Sequence, residues 1–234
     1  MKTNTLFTLI IISIIIALTS ISFASALSSN LLGDNNPGFE ENLDNWRIDC
    51  IYSHSCNVDI DSTSNSGLYS AILNVRNIEP NQFFPNGTLI VVDYAGVGLN
   101  TKSLIELKPN TEYTLTAFAK TEQDTSSTTI FPEILVVLYK TKDEWQQSTT
   151  LDEHDSMHPE RYLFFAQMLS DANANEWTKI ESTFETDGEH LFARVWVIGV
   201  IKDKPNTEDE QGNFWFDDVS LKEIKDRKRE GDNI

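Results

Sequence analysis

Positive charge is what this sequence has least of. Its 234 residues hold 18 Lys and Arg against 36 Asp and Glu, a formal net charge of −18. A surface of that sign argues against nucleic acid or anionic membrane as a partner. It suits an exported chain that meets neutral polymers or cations, and it also serves plain solubility. Helical periodicity is missing as well. No long segment repeats apolar residues every three to four positions, apart from a charged turn at Glu223–Arg229. There is no internal repeat and no low-complexity linker. No G-x-S-x-G elbow, P-loop or H-E-x-x-H pair occurs, which removes the commonest signatures of hydrolases, NTPases and zinc proteases.

Cysteine is nearly absent. The two that occur, Cys50 and Cys56, sit six positions apart. An even pair in an exported chain reads as a disulfide, here closing a short loop worth roughly 2 kcal/mol. The alternative is a metal pair with His54, which leaves a tetrahedral site incomplete because no further Cys exists.

Long apolar runs are limited to the N-terminus. Residues 1–26 carry Lys2 as their only charge, an Ile-rich run from Leu6, and Ala24-Ser25-Ala26 as a small-residue cleavage site. They read as a signal peptide. The run is longer than a usual signal core, so an uncleaved anchor stays open; that leader is the one expected route to membrane contact. Cleavage after Ala26 leaves 234 − 26 = 208 residues with a net charge of (18 − 1) − 36 = −19. One exported domain, secreted or at the cell surface, is expected from that length.

What is present is β-structure. Residues 57–61 alternate, with Val58 and Ile60 on one side. Ala71, Leu73 and Val75 alternate with Ile72 and Asn74, and Tyr113, Leu115, Ala117 and Ala119 with Thr114, Thr116 and Phe118. Leu89–Tyr94, Ile130–Tyr139, Glu176–Thr186, Leu191–Ile201 and Asn213–Ile224 are further strand candidates. Strands of this length, punctuated by Gly, Pro and Asn, predict an all-β sandwich. Two segments read as insertions, Asn77–Gly87 and Lys142–Asn175. The second holds His154 and His158 four residues apart among acids, but Pro159 argues against a helix that would align them, so a solvated acidic loop is expected. Asn86-Gly87-Thr88 is an acceptor sequon for N-glycosylation at Asn86 and implies an exposed turn.

Two stretches at opposite ends carry chemistry. Asn36-Pro37-Gly38-Phe39-Glu40 is turn chemistry followed by an aromatic anchor, and Glu40 is a charge where a buried edge is expected. In Phe214-Trp215-Phe216-Asp217-Asp218-Val219, a carboxylate pair interrupts an apolar strand. Carboxylates brought together in a sandwich repel unless a cation or a proton is shared. The alternative is a solvated Asp217-Asp218 edge, with Glu40 paired to a Lys.

These stretches resemble a known family. Asn36–Glu40 with Leu43-Asp44-Asn45-Trp46 is similar to the opening of the family 4/9/22 (CenC-type) carbohydrate-binding modules, and Phe216–Leu221 to their last strand. Leu107–Leu115, Ser66–Ser70 and Trp177–Phe184 are similar to internal strands and turns of that family, in the same order. The resemblance covers residues 31–224. It implies a two-sheet antiparallel β-sandwich, jelly-roll and galactose-binding-like, over residues 27–224; residues 225–234 read as a charged C-terminal tail. It implies a structural Ca²⁺ held by side-chain oxygens of Glu40 and Asp217 and backbone carbonyls of Gly38 and Ser66. It implies a polysaccharide or other glycan as partner, bound on the concave sheet face. There the candidates are Tyr94, Tyr139, Trp145 and Trp196, with Arg76 and Arg194 as polar partners. Trp46 and Trp177 match core positions and are set aside. Arg194 marks its face as the wet one, and Trp196 shares that face.

Enzymatic carboxylate pairs are not evident. Asn57-Val58-Asp59-Ile60-Asp61 is nearest to an E-x-D-x-E strand and lacks both glutamates. The R-x-E-x-R and Y-F-K-A-G patterns of jelly-roll lyases are absent too. The expectation is a non-catalytic glycan-binding module. Its rival is a cell-surface structural or adhesion module, with protein partners, that kept the fold without the sugar groove. Oligomeric state is open.

Overall fold

The computed structural model describes residues 29–51, 53–78, 81–83, 89–91, 94–122, 130–143, 162–168, 173–202 and 212–225. For residues 34, 51, 53–56, 76–78, 81–83, 89–91, 94–95, 162–168 and 202 only the backbone is described. The leader, Asn86, Trp145, His154 and His158 lie outside the described residues, as do the side chains of Tyr94, Arg76 and Cys56.

Among the described residues a single 3₁₀ turn, Gly33–Asn35, is followed by strands β1 (Trp46–Ile51), β2 (Ser53–Asp61), β3 (Ser70–Ile78), β4 (Asn81–Phe83), β5 (Leu89–Val91), β6 (Tyr94–Thr101) and β7 (Ile105–Glu106). After them come β8 (Glu112–Thr121), β9 (Ile130–Tyr139), β10 (Tyr162–Met168), β11 (Thr178–Glu185), β12 (Phe192–Lys202) and β13 (Gly212–Glu223). One antiparallel sheet has the order β1-β6-β12-β9-β10, with β7 also on β12. The other runs β11-β8-β13-β3-β2, and β4 and β5 form a separate hairpin. The protein is an all-β, two-sheet antiparallel sandwich.

The period-two pattern decides which side chains meet between the sheets. Ala71, Leu73 and Val75 of β3 and Tyr113, Leu115, Ala117 and Ala119 of β8 face Val97 and Leu99 of β6. Ile134, Val136 and Leu138 of β9 and Val195 and Val197 of β12 complete that inner layer. The central strands β9 and β12 are buried on both faces, which is why they read as unbroken apolar runs. Their outer residues Leu135, Val137, Tyr139, Trp196, Ile198 and Val200 form a second cluster.

Several expectations are corrected. Phe39, whose place after the turn suggests the anchor of a first strand, lies in no strand. It sits in a turn at φ 56°, its fully buried ring 5.2 Å from that of Trp46. Five strands escaped the pattern: the short β4, inside the supposed 77–87 insertion, the two-residue β7, and β1, β6 and β10. β1 carries Arg47 and Asp49 on a partly covered edge. β6 contains Gly96 and Gly98, poor strand formers. β10 lies inside the supposed 142–175 insertion and pairs with β9 from Tyr162 opposite Tyr139 to Met168 opposite Glu133. Cys50 lies on β1 and Cys56 on β2 of the other sheet. With the Cys56 side chain outside the described residues, their pairing stays an expectation.

Candidate functional site

The first site is built where the two ends of the chain meet. β13 carries a bulge: Asp217 is opposite Phe118 but Ser220 is opposite Thr116, so one residue is extra. Asp218 takes it up at φ 50°. The N-terminal segment docks on this irregular stretch. Val219 N–H donates to Pro37 O (3.0 Å) and Leu31 N–H to Leu221 O (2.8 Å). The Asn30 side chain bonds Val219 O and Leu221 N–H, both at 3.0 Å.

Asp217 is fully buried. Its Oδ2 accepts the N–H groups of Asn65 (2.8 Å) and Ser66 (3.0 Å), and its Oδ1 that of Asp218 (2.7 Å). Burial pushes the Asp217 carboxyl above its ordinary range, against the pull of these hydrogen bonds. Asp218 holds the same loop from outside, through Asn65 Nδ2 (2.8 Å) and Ser66 Oγ (2.7 Å). Glu40 accepts Leu68 N–H on both oxygens (3.1 and 3.0 Å). A Cβ placed on Gly38 would lie 3.7 Å from Glu40 Cγ and 3.8 Å from Asp217 Oδ1, so the two carboxylates flank that glycine. Gly67, at φ +65°, has no room for a side chain because its Cβ would sit 1.9 Å from Glu40 Oε1.

The structure therefore brings Gly38, Glu40, Ser66 and Asp217 together. Among the described residues no Lys, Arg or His pairs with Glu40 or Asp217. The idea of a Glu40–Lys pair gives way to backbone donors from the 65–69 loop. Two converging carboxylates without a basic partner fit a hard cation. Among the described residues no three His, Cys, Asp or Glu side chains gather at one point. A cation here would draw its further ligands from carbonyls and water.

The second site is the outer face of the six-stranded sheet. Register aligns Arg47 (β1), Asn100 (β6), Trp196 (β12), Leu135 (β9) and Ala166 (β10) in one cross-strand row. The next row is Asp49, Gly98, Ile198, Glu133 and Met168. Arg194 lies two residues from Trp196 on the same face; burial pulls its guanidinium below its ordinary range, with Arg47 acting in the same sense and Asp49 against it. Gly98 lets the indole lie against the sheet: a Cβ there would be 3.3 Å from Trp196 Cε3.

Arg194 and Trp196 do share the face opposite the inner core. That face is not wet, however. Arg194, Trp196 and Tyr139 are each only 1% exposed, which corrects the reading of them as open sugar contacts. The reason is a second layer of apolar packing: Leu104, Phe131 and Phe192 pack against Tyr139, Trp196 and their neighbours. Inside this layer, both side-chain atoms of Asn100 and the indole Nε1 of Trp196 are buried without a hydrogen-bond partner. Each such group carries a desolvation cost of about 1–3 kcal/mol.

Asn100, Arg47, Asp49 and Glu133 were missed as site residues. The signal was the Gly96–Gly98–Asn100 alternation beside Val97 and Leu99, weak because glycine does not mark a strand. Trp177 is also corrected. It is half-buried rather than core, with Lys120 Nζ 5.7 Å from its ring and 4.3 Å from that of Trp215 on the outer face of the five-stranded sheet.

Burial pushes the Glu133 carboxyl up to about 7. Its folded-state value is raised, so its contribution to stability is fully present below the ordinary 4.5 and is lost as pH rises through about 7. Glu133→Gln should therefore gain on the wild type between those limits, by at most about 3 kcal/mol. Urea midpoints of both proteins at the two ends of the window measure this. An unchanged difference would show that Glu133 ionises freely.

No family profile and no curated protein matches this sequence. Solved structures do match. One is the enzymatically active domain of bacteriophage CBA120 tailspike protein 4, at TM-score 0.50 and 12% identity over 83% of this chain. This chain spans about a fifth (21%) of that one. TmCBM61, solved in complex with β-1,4-galactotriose, matches at TM-score 0.46 and 15% identity, over 84% of this chain and 100% of its own. The CBM22-1 xylan-binding domain of Paenibacillus barcinonensis Xyn10C matches at 0.45 and 10%, over 86% and 97%. At such identities the likeness is one of fold.

Proposed function

We propose that this protein is a secreted, non-catalytic carbohydrate-binding module whose chain ends are pinned by a structural Ca²⁺. The observation that carries the glycan reading is the Asn100 amide, fully buried with neither atom hydrogen-bonded, beside the unpartnered Trp196 indole on an outer sheet face. An amide, an indole N–H and a guanidinium are the groups that sugar hydroxyls pair with, and tryptophan is the ring that pyranose faces stack on. Buried polar groups without partners call for a ligand or an ordered water to complete them. Of the other sugar candidates, Tyr94 and Arg76 are placed by backbone only and Trp145 lies outside the described residues. Ca²⁺ would be held by Glu40 and Asp217 with carbonyls of Gly38 and Ser66, and would supply charge compensation there. A Cys50–Cys56 disulfide would tie the two sheets at the β1–β2 corner.

The second reading is a cell-surface structural or adhesion module without sugar binding. The near-complete burial of Tyr139 and Trp196 favours it. Affinity electrophoresis in gels containing β-glucan, xylan, mannan, galactan or alginate separates the two. Retardation by one polymer, abolished in Asn100→Ala or Trp196→Ala, is expected. Unchanged mobility in every gel would leave the structural reading in its place.

A further inference from the structure

The outer face of the five-stranded sheet carries a row that strand chemistry does not account for. Asn57 of β2, Asn74 of β3 and Asn213 of β13 stand directly opposite one another in register. Their chain neighbours Val58, Leu73, Val75 and Phe214 pack into the inner core, so the three amides leave from the opposite face. Asparagine is depleted in strands, and here it occupies three adjoining ones, of which β13 is central. The amides gain nothing inside the protein: among the described residues none of the three has a side-chain hydrogen bond. Asn57 is exposed, and Asn74 and Asn213 are half-buried, so all three can be reached from solvent. A local rule broken without a structural gain is the mark of a functional surface.

The neighbouring row, about 7 Å along the strands, is of another kind. Trp215 stands between Ile72 and Lys120. The Lys120 ammonium lies 4.3 Å from the Trp215 ring and 5.7 Å from that of Trp177, which ties the two indoles together. Trp215 and Lys120 are almost covered, while Ile72 and Trp177 are half-buried and present apolar surface. An amide row beside an apolar row matches the two-sided character of a pyranose, with hydroxyls at its rim and C–H groups on its faces. Each amide both donates and accepts, as each hydroxyl does. From Asn57 to Asn213 the row spans two strand spacings, about 10 Å, which is close to the length of a disaccharide. The amides are uncharged, and a chain of net charge −18 repels a polyanion.

We propose that this face binds a neutral polysaccharide chain laid across the strands, its hydroxyls on Asn57, Asn74 and Asn213 and its apolar ring faces on Ile72 and Trp177. This second site shares no residue with the one on the six-stranded sheet, but it rests on the same glycan reading. Being open, it holds its chain more weakly than an enclosed site. Gel retardation therefore reports the first face, and a titration reports this one.

The test is an NMR titration of the nitrogen-labelled full chain with cellohexaose, xylohexaose and mannohexaose, and with a galacturonic acid hexamer as the charged comparison. The side-chain amide signals of Asn57, Asn74 and Asn213 are expected to shift with a neutral hexamer. Asn74→Val combined with Asn213→Val should weaken that binding at least tenfold, read at the Asn57 signal. The same double variant should raise the melting temperature, because valine suits a strand better than asparagine. Shifts confined to Asn100 and the Trp196 indole would overturn this second site and leave the glycan reading standing. Equal shifts with the charged hexamer would overturn the neutral ligand, and unchanged binding in the double variant would overturn the role of the amides. Shifts with no saccharide would remove both readings.

Discussion

Replacing Gly199 with alanine is expected to lower stability by about 3 kcal/mol, near the upper end for overpacking a core. Gly199 lies on β12 with its inner face toward the other sheet. A Cβ there would stand 2.1 Å from Phe214 Cδ2, 2.6 Å from Cγ and 2.7 Å from Cε2. The Phe214 ring is fully buried and also lies close to Gly212, whose Cβ would come within 2.9 Å of Cε2. A fully buried ring can yield to the new Cβ only by displacing its neighbours. For a chain of this size the loss corresponds to a Tm lower by roughly 6–12 °C. Gly33→Ala is the control, because its Cβ would meet nothing within 4 Å. The double variant Gly199→Ala with Phe214→Leu should recover part of the loss, since contacting sites are not additive. Melting temperatures for Gly199→Ala and Gly33→Ala that agree within a degree or so would mean that the two sheets do not pack as described.

The second large effect concerns the chain ends. Calcium is expected to raise Tm, and a chelator to lower it. At a hundredfold excess of calcium over its Kd the stabilisation is about 2.7 kcal/mol. Glu40→Ala and Asp217→Ala should each abolish that response, because each removes one of the two carboxylates that flank Gly38. Gly67→Ala should abolish it as well without removing a carboxylate. Its Cβ would collide with Glu40 Oε1, and its φ of +65° is costly for any other residue. Magnesium should substitute poorly, since it demands a regular octahedron that a loop of backbone donors does not offer. The measurement is a melting curve with calcium, with magnesium and with chelator. A wild-type Tm indifferent to all three would leave the 65–69 loop bonded to bare carboxylates and would sink the calcium site.

The two sites differ in how they could be read from the chain. Asn36–Glu40 and Phe216–Val219 stand out locally: turn residues beside a misplaced charge, and an acidic pair inside an apolar strand. Their convergence follows from topology, because β13 lies beside β3 and the N-terminal segment bonds to its bulge. The outer-face site has no comparable local mark. Arg47, Asn100, Arg194 and Trp196 come from three strands separated by up to 149 positions in sequence (196 − 47), and only register brings them into adjoining positions. β6, which supplies Asn100, has two glycines where a strand would show β-branched residues. β10 was hidden in a stretch whose composition resembled a loop.

By itself the sequence determined that the chain is all-β, which residues of β3 and β8 share a face, and that Glu40 and Asp217 are misplaced charges in need of company. These are properties of alternation and turn chemistry, which act over a few residues. The tertiary structure alone decided that Trp196, Tyr139 and Arg194 are buried, that Trp177 is not core, and that two arginines and an unpartnered amide share a face. Alternation says that a side chain leaves the inner core, but not what meets it on the other side. That depends on side chains brought from distant strands, and so on packing that no local pattern encodes.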